Sequence, residues 1–116
     1  MTDELSQIFS ALADPTRRAI LARLSEGAAN VSDLAEPFLR EMSLPAVTKH
    51  LKVLERAGLI IKVKNAQWRS CHMNSEPLRN AHAWIDKYRT IWEESFAQLD
   101  EYLKTMPIDK TKGKKK

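Results

Sequence analysis

Between Ser43 and Arg69 the chain concentrates residue types that can read a polyanion. Thr48, Lys49, Lys52 and Arg56 recur at helical spacing. At about 100° per residue they share one sector of a helix with Pro45, while Val47, Leu51 and Leu54 fall in the opposite one. A threonine hydroxyl can bond to a base or a phosphate, and its methyl can touch a thymine methyl; a lysine can reach a guanine edge or a phosphate. Lys52 and Arg56 lie further along, where a groove would have curved away, and suit phosphates. Leu44 and Pro45 offer apolar contact at a groove floor or rim. His50 falls at the flank of the apolar sector, as a packed or phosphate-facing histidine rather than a ligand or catalyst. Lys62, Lys64, Gln67 and Arg69 follow on extended segments and suit contacts to a nucleic-acid backbone.

Other chemistry is poorly supplied. Three His, one Cys and no Gly-rich phosphate loop offer neither a nucleophile–base pair nor a cofactor signature, so neither an enzyme nor a cofactor is expected. Cys71, the single cysteine, excludes an internal disulfide and a multi-cysteine metal cluster and fits a reducing cytoplasm. No apolar run approaches a membrane span, and the acidic start MTDELSQIFS does not read as a signal peptide. The net charge of +4 is unevenly placed. Residues 107–116 carry all of it, while segments 1–42, 43–72 and 73–106 carry −3, +5 and −2. A local cationic patch on a neutral body is the footprint of a nucleic-acid binder. A protein-only adaptor, whose basic face meets an acidic partner, is the competing reading.

The elements that must position these side chains follow from periodicity and capping. Leu5, Ile8, Phe9 and Leu12 make one face of a first helix. Asp14-Pro15 starts a second, with Ile20, Leu21 and Leu24 as its apolar face and Gly27 closing it. Ser32 is the expected cap of a short third helix ending near Pro37. Ser43 caps the fourth, with Pro45 in its first turn and Gly58 at its end. Residues 59–64 and 68–73 read as two strands of a hairpin around Asn65-Ala66-Gln67. From about Pro77 to Lys104, capped by Ser75 or Asn74, Leu78, Ala81, Trp84, Ile85, Tyr88, Ile91, Trp92, Phe96, Leu99, Tyr102 and Leu103 form one stripe. Such a helix would be about 40 Å long at ~1.5 Å per residue, against roughly 30 Å for a domain of this size. Part of the stripe is therefore expected to meet a second copy. The Lys-rich tail, residues 107–116, is expected to be disordered.

A short helix turning into a cationic one, then a hairpin, is a winged helix-turn-helix. The expected fold is mainly α with a small β-hairpin, five helices in one domain over residues 1–106. The runs ALADPTRRAIL (11–21), VSDLA (31–35) and SLPAVTKHLKVLERAGL (43–59) closely resemble the ArsR-type winged-helix repressors over roughly residues 5–105. Pro77-Leu78 with Trp84, Tyr88-Arg89 and Trp92-Glu93 is similar to a subgroup that does not sense metal. The resemblance implies a homodimer held by the first and last helices, through Leu5, Ile8, Phe9, Trp84, Tyr88, Trp92, Phe96 and Leu99. It implies a palindromic double-stranded DNA operator, repression of nearby genes, often including its own, and a place in a prokaryotic cytoplasm at the nucleoid. It implies that Ser43, Thr48, Lys49 and His50 lie at the groove-facing end of the recognition helix. Metal-sensing members carry a Cys-x-Cys-type motif on the third helix, where this chain reads Asn30-Val31-Ser32-Asp33-Leu34. His82 and Asp86, one turn apart, are a thin ligand set, and no metal is expected.

Overall fold

Helices of the first half begin on side-chain acceptors that satisfy orphan amide donors. The computed structural model describes residues 3–65 and 68–106. Helix α1 (Glu4–Leu12) starts on Asp3, whose carboxylate accepts from Ser6 N at 2.7 Å. Helix α2 (Pro15–Leu24) starts on Asp14, which accepts from Thr16 N at 2.9 Å and Arg17 N at 3.1 Å. Helix α3 (Val31–Ala35) starts on Asn30, not on the expected Ser32; the amide oxygen accepts from Asp33 N at 2.8 Å. A 3-10 turn at Glu36–Phe38 contains Pro37. Helix α4 (Leu44–Arg56) starts on Ser43, whose Oγ accepts from Ala46 N at 3.2 Å, with Pro45 in its first turn.

Gly58 ends α4 at φ 78°, a left-handed conformation that glycine adopts without strain. The Leu59 amide donates to Leu54 O at 2.9 Å and the Gly58 amide to Glu55 O at 2.9 Å. These are the paired bonds of a Schellman motif, and the accompanying apolar residues Leu54 and Leu59 are both fully buried. A Cβ at Gly58 would also meet Pro77 Cγ at 3.4 Å.

The hairpin, β2 (Ile60–Asn65) and β3 (Trp68–Met73), gains a third strand that periodicity did not announce, β1 (Ala29–Asn30). The order is β1-β3-β2, antiparallel throughout. Two residues are too few to show an alternating pattern. The core gathers Ile20, Leu24, Leu34, Val47, Leu51, Leu54, Leu59, Ile60 and Cys71 from α2, α3, α4, the turn after α4 and the sheet. Each such leucine or isoleucine contributes on the order of 2 kcal/mol by leaving water.

The chain divides into two compact units, Met1–His82 and Ala83–Lys116, and every winged-helix element named so far lies in the first. The five expected helices are present, but the fifth is not one rod. It is α5 (Glu76–Asp86) followed by α6 (Arg89–Thr105). The i→i−4 ladder lapses where Lys87 N donates to Trp84 O at 3.3 Å and Tyr88 N to Ile85 O at 3.0 Å, both three-residue spans. Arg89 ties the junction to both sides, pairing with Asp86 at 3.3 Å and Glu93 at 3.9 Å. With neither Pro nor Gly at the junction, periodicity alone read through it. Asn74, rather than Ser75, supplies the side-chain acceptor at the start of α5, taking Glu76 N at 3.3 Å.

Candidate nucleic-acid interface

Helix α4 separates its two faces cleanly. Val47, Leu51 and Leu54 are fully buried, whereas Pro45, Lys49, Lys52 and Arg56 are exposed. Among the described residues none of the three cations forms an ion pair with a carboxylate. Leu44 is exposed beside the cap, and Thr48 is half-buried with its hydroxyl donating to Leu44 O at 3.0 Å. That bond uses the hydroxyl hydrogen and leaves the oxygen as an acceptor. Ser43 already holds Ala46 N, so its first role is to fix the start of the helix. Arg56 lies at the far end of α4, beside Gln7 and Ser10 of α1 around a small cleft, a place suited to phosphate rather than to base edges.

The strand register sorts the wing cations. Lys62 stands opposite Cys71 and Lys64 opposite Arg69. Cross-strand partners share a face, and Cys71 is fully buried. Lys62 is accordingly drawn inward: its Nζ pairs with Glu55 on α4 at 3.5 Å, and its side chain is only 21% exposed. The expectation that Lys62 projects outward is thereby corrected: it lies further from the turn than Lys64, opposite a buried residue and within reach of Glu55, and so ties the wing to α4. Lys64 and Arg69 remain exposed. Two like charges directly opposite repel unless an anion lies between them. Gln67 and the tail 107–116 lie outside the described residues.

His50 is packed against the start of α2, one of the two places expected of it. Its Nδ1 accepts from Arg17 Nη1 at 3.1 Å and lies 3.9 Å from Asp14 Oδ2. The half-buried ring is thus turned to the start of α2. Burial acts to raise the Asp14 carboxyl, but the Arg17 amide, the charge of His50 whenever that ring is protonated, the Arg17 charge and the Thr16 amide together outweigh it, holding it below its ordinary 3.8. Burial pushes the Cys71 thiol up, despite nearby Lys62.

The fold brings residues together that spacing did not connect. A cleft of about 460 Å³ between wing and helix-turn-helix is lined by Asn30 and Ser32 before and in α3, Thr48 on α4, and Lys62, Trp68 and Arg69 on the wing. Trp68 is 65% exposed beside Arg69. Its neighbouring arginine was the only sequence signal, since an indole next to a cation suits stacking on nucleic acid. Asn30 and Ser32 gave none.

The dimer residues named from the resemblance are also placed. Ile8 is fully buried within the single chain, so it is removed from the contact set. Leu5 and Phe9 are half-buried. Trp84 and Tyr88 meet edge-on, 5.2 Å between centroids at 60°. Trp92, Phe96 and Leu99 are exposed, and no residue of α6 is buried.

Comparison with known proteins agrees with this geometry. Residues 12–63, which run from the end of α1 through most of β2, match a helix-turn-helix domain model. An uncharacterized helix-turn-helix-type transcriptional regulator of Bacillus subtilis, YuzN, is 38% identical, covering 74% of this chain and all of that protein. The transcriptional repressor SdpR of the same organism is 32% identical, covering 70% of this chain and 88% of that one. The crystal structure of an ArsR family transcriptional regulator is 46% identical and superposes with a TM-score of 0.72, covering 78% of this chain and 98% of that one. The chain belongs to the ArsR family of transcriptional regulators. As an ArsR-family regulator it has DNA as its partner. Where the family's metal-sensing members place thiols, Asn30 is engaged in capping α3, and Asp86 is paired with Arg89. Among the described residues, no three His, Cys, Asp or Glu side chains gather as metal ligands. No described helix is long and apolar enough to cross a membrane.

Proposed function

We propose that this regulator is a homodimeric repressor that binds a palindromic operator and blocks transcription of nearby genes, its own among them. The observation that carries the reading is the two-faced α4, anchored by Val47, Leu51 and Leu54 and presenting Pro45, Lys49, Lys52 and Arg56 outward. Such a helix enters a major groove with its early residues at base edges. Ser43, Leu44, Thr48 and Lys49 belong to that end; Lys52 and Arg56 neutralise phosphates. Lys64, Arg69 and, by its place in the chain, Gln67 follow the backbone from the wing. A second copy covers α6, whose exposed Ile91, Trp92, Phe96, Leu99, Tyr102 and Leu103 form an apolar patch of the kind that marks an interface. Leu5, Phe9, Trp84 and Tyr88 complete the proposed dimer surface. The protein acts in the cytoplasm, at the DNA.

The test is recovery of bound genomic fragments, followed by titration of the recovered duplex against random duplex over a range of salt. The expected operator has two half-sites about one helical turn apart, or a multiple of that. Log affinity should fall linearly with log salt, in proportion to the phosphates neutralised. Equal affinity for random and recovered duplex would return the protein to the adaptor reading.

A further inference from the structure

Behind the recognition helix, one arginine closes a network that joins three helices. Arg17 Nε donates to Ala11 O at 2.7 Å and Nη2 donates to Ser10 O at 3.0 Å, so the guanidinium caps the carbonyl end of α1. Its remaining nitrogen, Nη1, reaches across to His50 Nδ1 on α4 at 3.1 Å. Asp14 Oδ2 holds the Arg17 amide at 3.1 Å and lies 3.9 Å from the same imidazole nitrogen. None of these groups is among the exposed cations of α4, and the DNA contact set does not use them.

Guanidinium is a donor only, so the bond from Arg17 requires a lone pair on His50 Nδ1. The imidazole must therefore be neutral, with its hydrogen on Nε2. A proton at Nδ1 would take up that lone pair and leave two cations 3.1 Å apart. The imidazolium would then turn toward Asp14. The charged groups facing His50 are Arg17 of α2 and Asp14 of the turn before it. α1 offers only the Ser10 and Ala11 carbonyls, to Arg17. On α4 itself the residues one turn away, Ala46, Val47, Val53 and Leu54, carry no charge.

We infer that Arg17 and neutral His50 are positioning residues that brace α4 against α1 and α2, and that protonating His50 releases the brace and weakens operator binding. The inference rests on the DNA reading above and adds to it a side chain that acts from behind the helix. It makes a prediction of opposite sign to direct contact. A histidine that touched phosphate would bind DNA more tightly when protonated; a braced one binds less tightly.

The experiment measures binding of the duplex recovered with the wild-type protein, against random duplex of equal length, at about pH 8 and about pH 5.5, which span the range where histidine changes charge. Wild type should lose about tenfold in affinity on acidification, the scale of one charge-assisted hydrogen bond. His50→Asn, whose amide oxygen supplies a non-titrating acceptor near the position of Nδ1, should bind as wild type does at pH 8 and lose less on acidification. His50→Leu and Arg17→Lys should be weakened about tenfold at pH 8. Their salt slopes should remain unchanged, since no phosphate contact is removed. Far-ultraviolet circular dichroism confirms that each variant is folded, and His50→Asn decides the matter if the others are not. Tighter wild-type binding at pH 5.5, a pH profile shared by wild type and His50→Asn, or full affinity in His50→Leu would overturn the inference while leaving the DNA reading intact. Absence of any wild-type preference for the recovered duplex would overturn both.

Discussion

Truncating Phe96 to alanine tests the proposed dimer at its most exposed aromatic. Phe96 is 67% exposed in the single chain. A phenylalanine carries on the order of 200 Å² of surface, so about 130 Å² awaits cover. At ~25 cal/mol per Å² that is about 3 kcal/mol for each copy if wholly buried. A two-fold interface counts it twice, about 6 kcal/mol. Association orders side chains and leaves some surface wet, so about half of this, ~3 kcal/mol, is expected to appear. That corresponds to roughly a hundredfold weaker dimerisation. Sedimentation over a concentration series reads it directly, and circular dichroism should be unchanged because no residue of α6 is buried in the single chain. Operator affinity should fall with it at concentrations where wild type is paired. A dimerisation constant equal to that of wild type would show that α6 does not meet its copy through this face, and a wild-type protein that stays monomeric would refute the reasoning altogether.

Other outcomes are equally specific. Lys49→Ala should cost about 1–3 kcal/mol in operator affinity if Lys49 reads a base, and an equal loss on random duplex would make it a phosphate contact. Leu54→Ala removes a fully buried side chain that anchors α4 to the core and should lower unfolding stability by about 2–5 kcal/mol in a urea titration; a loss well under 1 kcal/mol would contradict the core assignment. Asp14→Ala removes the cap of α2 and should cost about 1 kcal/mol at neutral pH. The Asp14 carboxyl is held below its ordinary 3.8 in the folded chain. Its contribution is therefore present above that value and lost as pH falls through the lower folded one, so the gap between wild type and Asp14→Ala should narrow under acid. A gap that widens would show the carboxyl to be destabilising when ionised.

Much of this protein was legible in the order of its residues because the deciding signals are local. Ser43, Pro45 and Gly58 mark the ends of α4 by how they treat unpaired amides and positive φ, which needs no tertiary partner. The division of α4 into Val47, Leu51 and Leu54 against Lys49, Lys52 and Arg56 follows from a fixed angle per residue. The motif runs 11–21 and 43–59 carried the family resemblance directly. Periodicity was least reliable where a pattern continued through a change of geometry. The apolar stripe from Leu78 to Leu103 holds its helical spacing across Lys87-Tyr88, although the hydrogen-bond ladder does not.

What tertiary structure alone decided is which charged side chains are free. Three lysines and arginines of the wing looked equivalent along the chain, yet Lys62, opposite buried Cys71, reaches Glu55, while Lys64 and Arg69, on the same sheet face nearer the turn, stay exposed as a pair. His50 lies on the helix that carries the exposed Lys49, Lys52 and Arg56, but Arg17, thirty-three residues earlier, claims its Nδ1. Ile8 shows the helical spacing of a contact residue and is buried instead in its own chain. Periodicity fixes the direction in which a side chain leaves its own helix or strand. Whether an ion pair, a hydrogen bond or a packed neighbour meets it there depends on segments distant in the chain, and only folding brings those together.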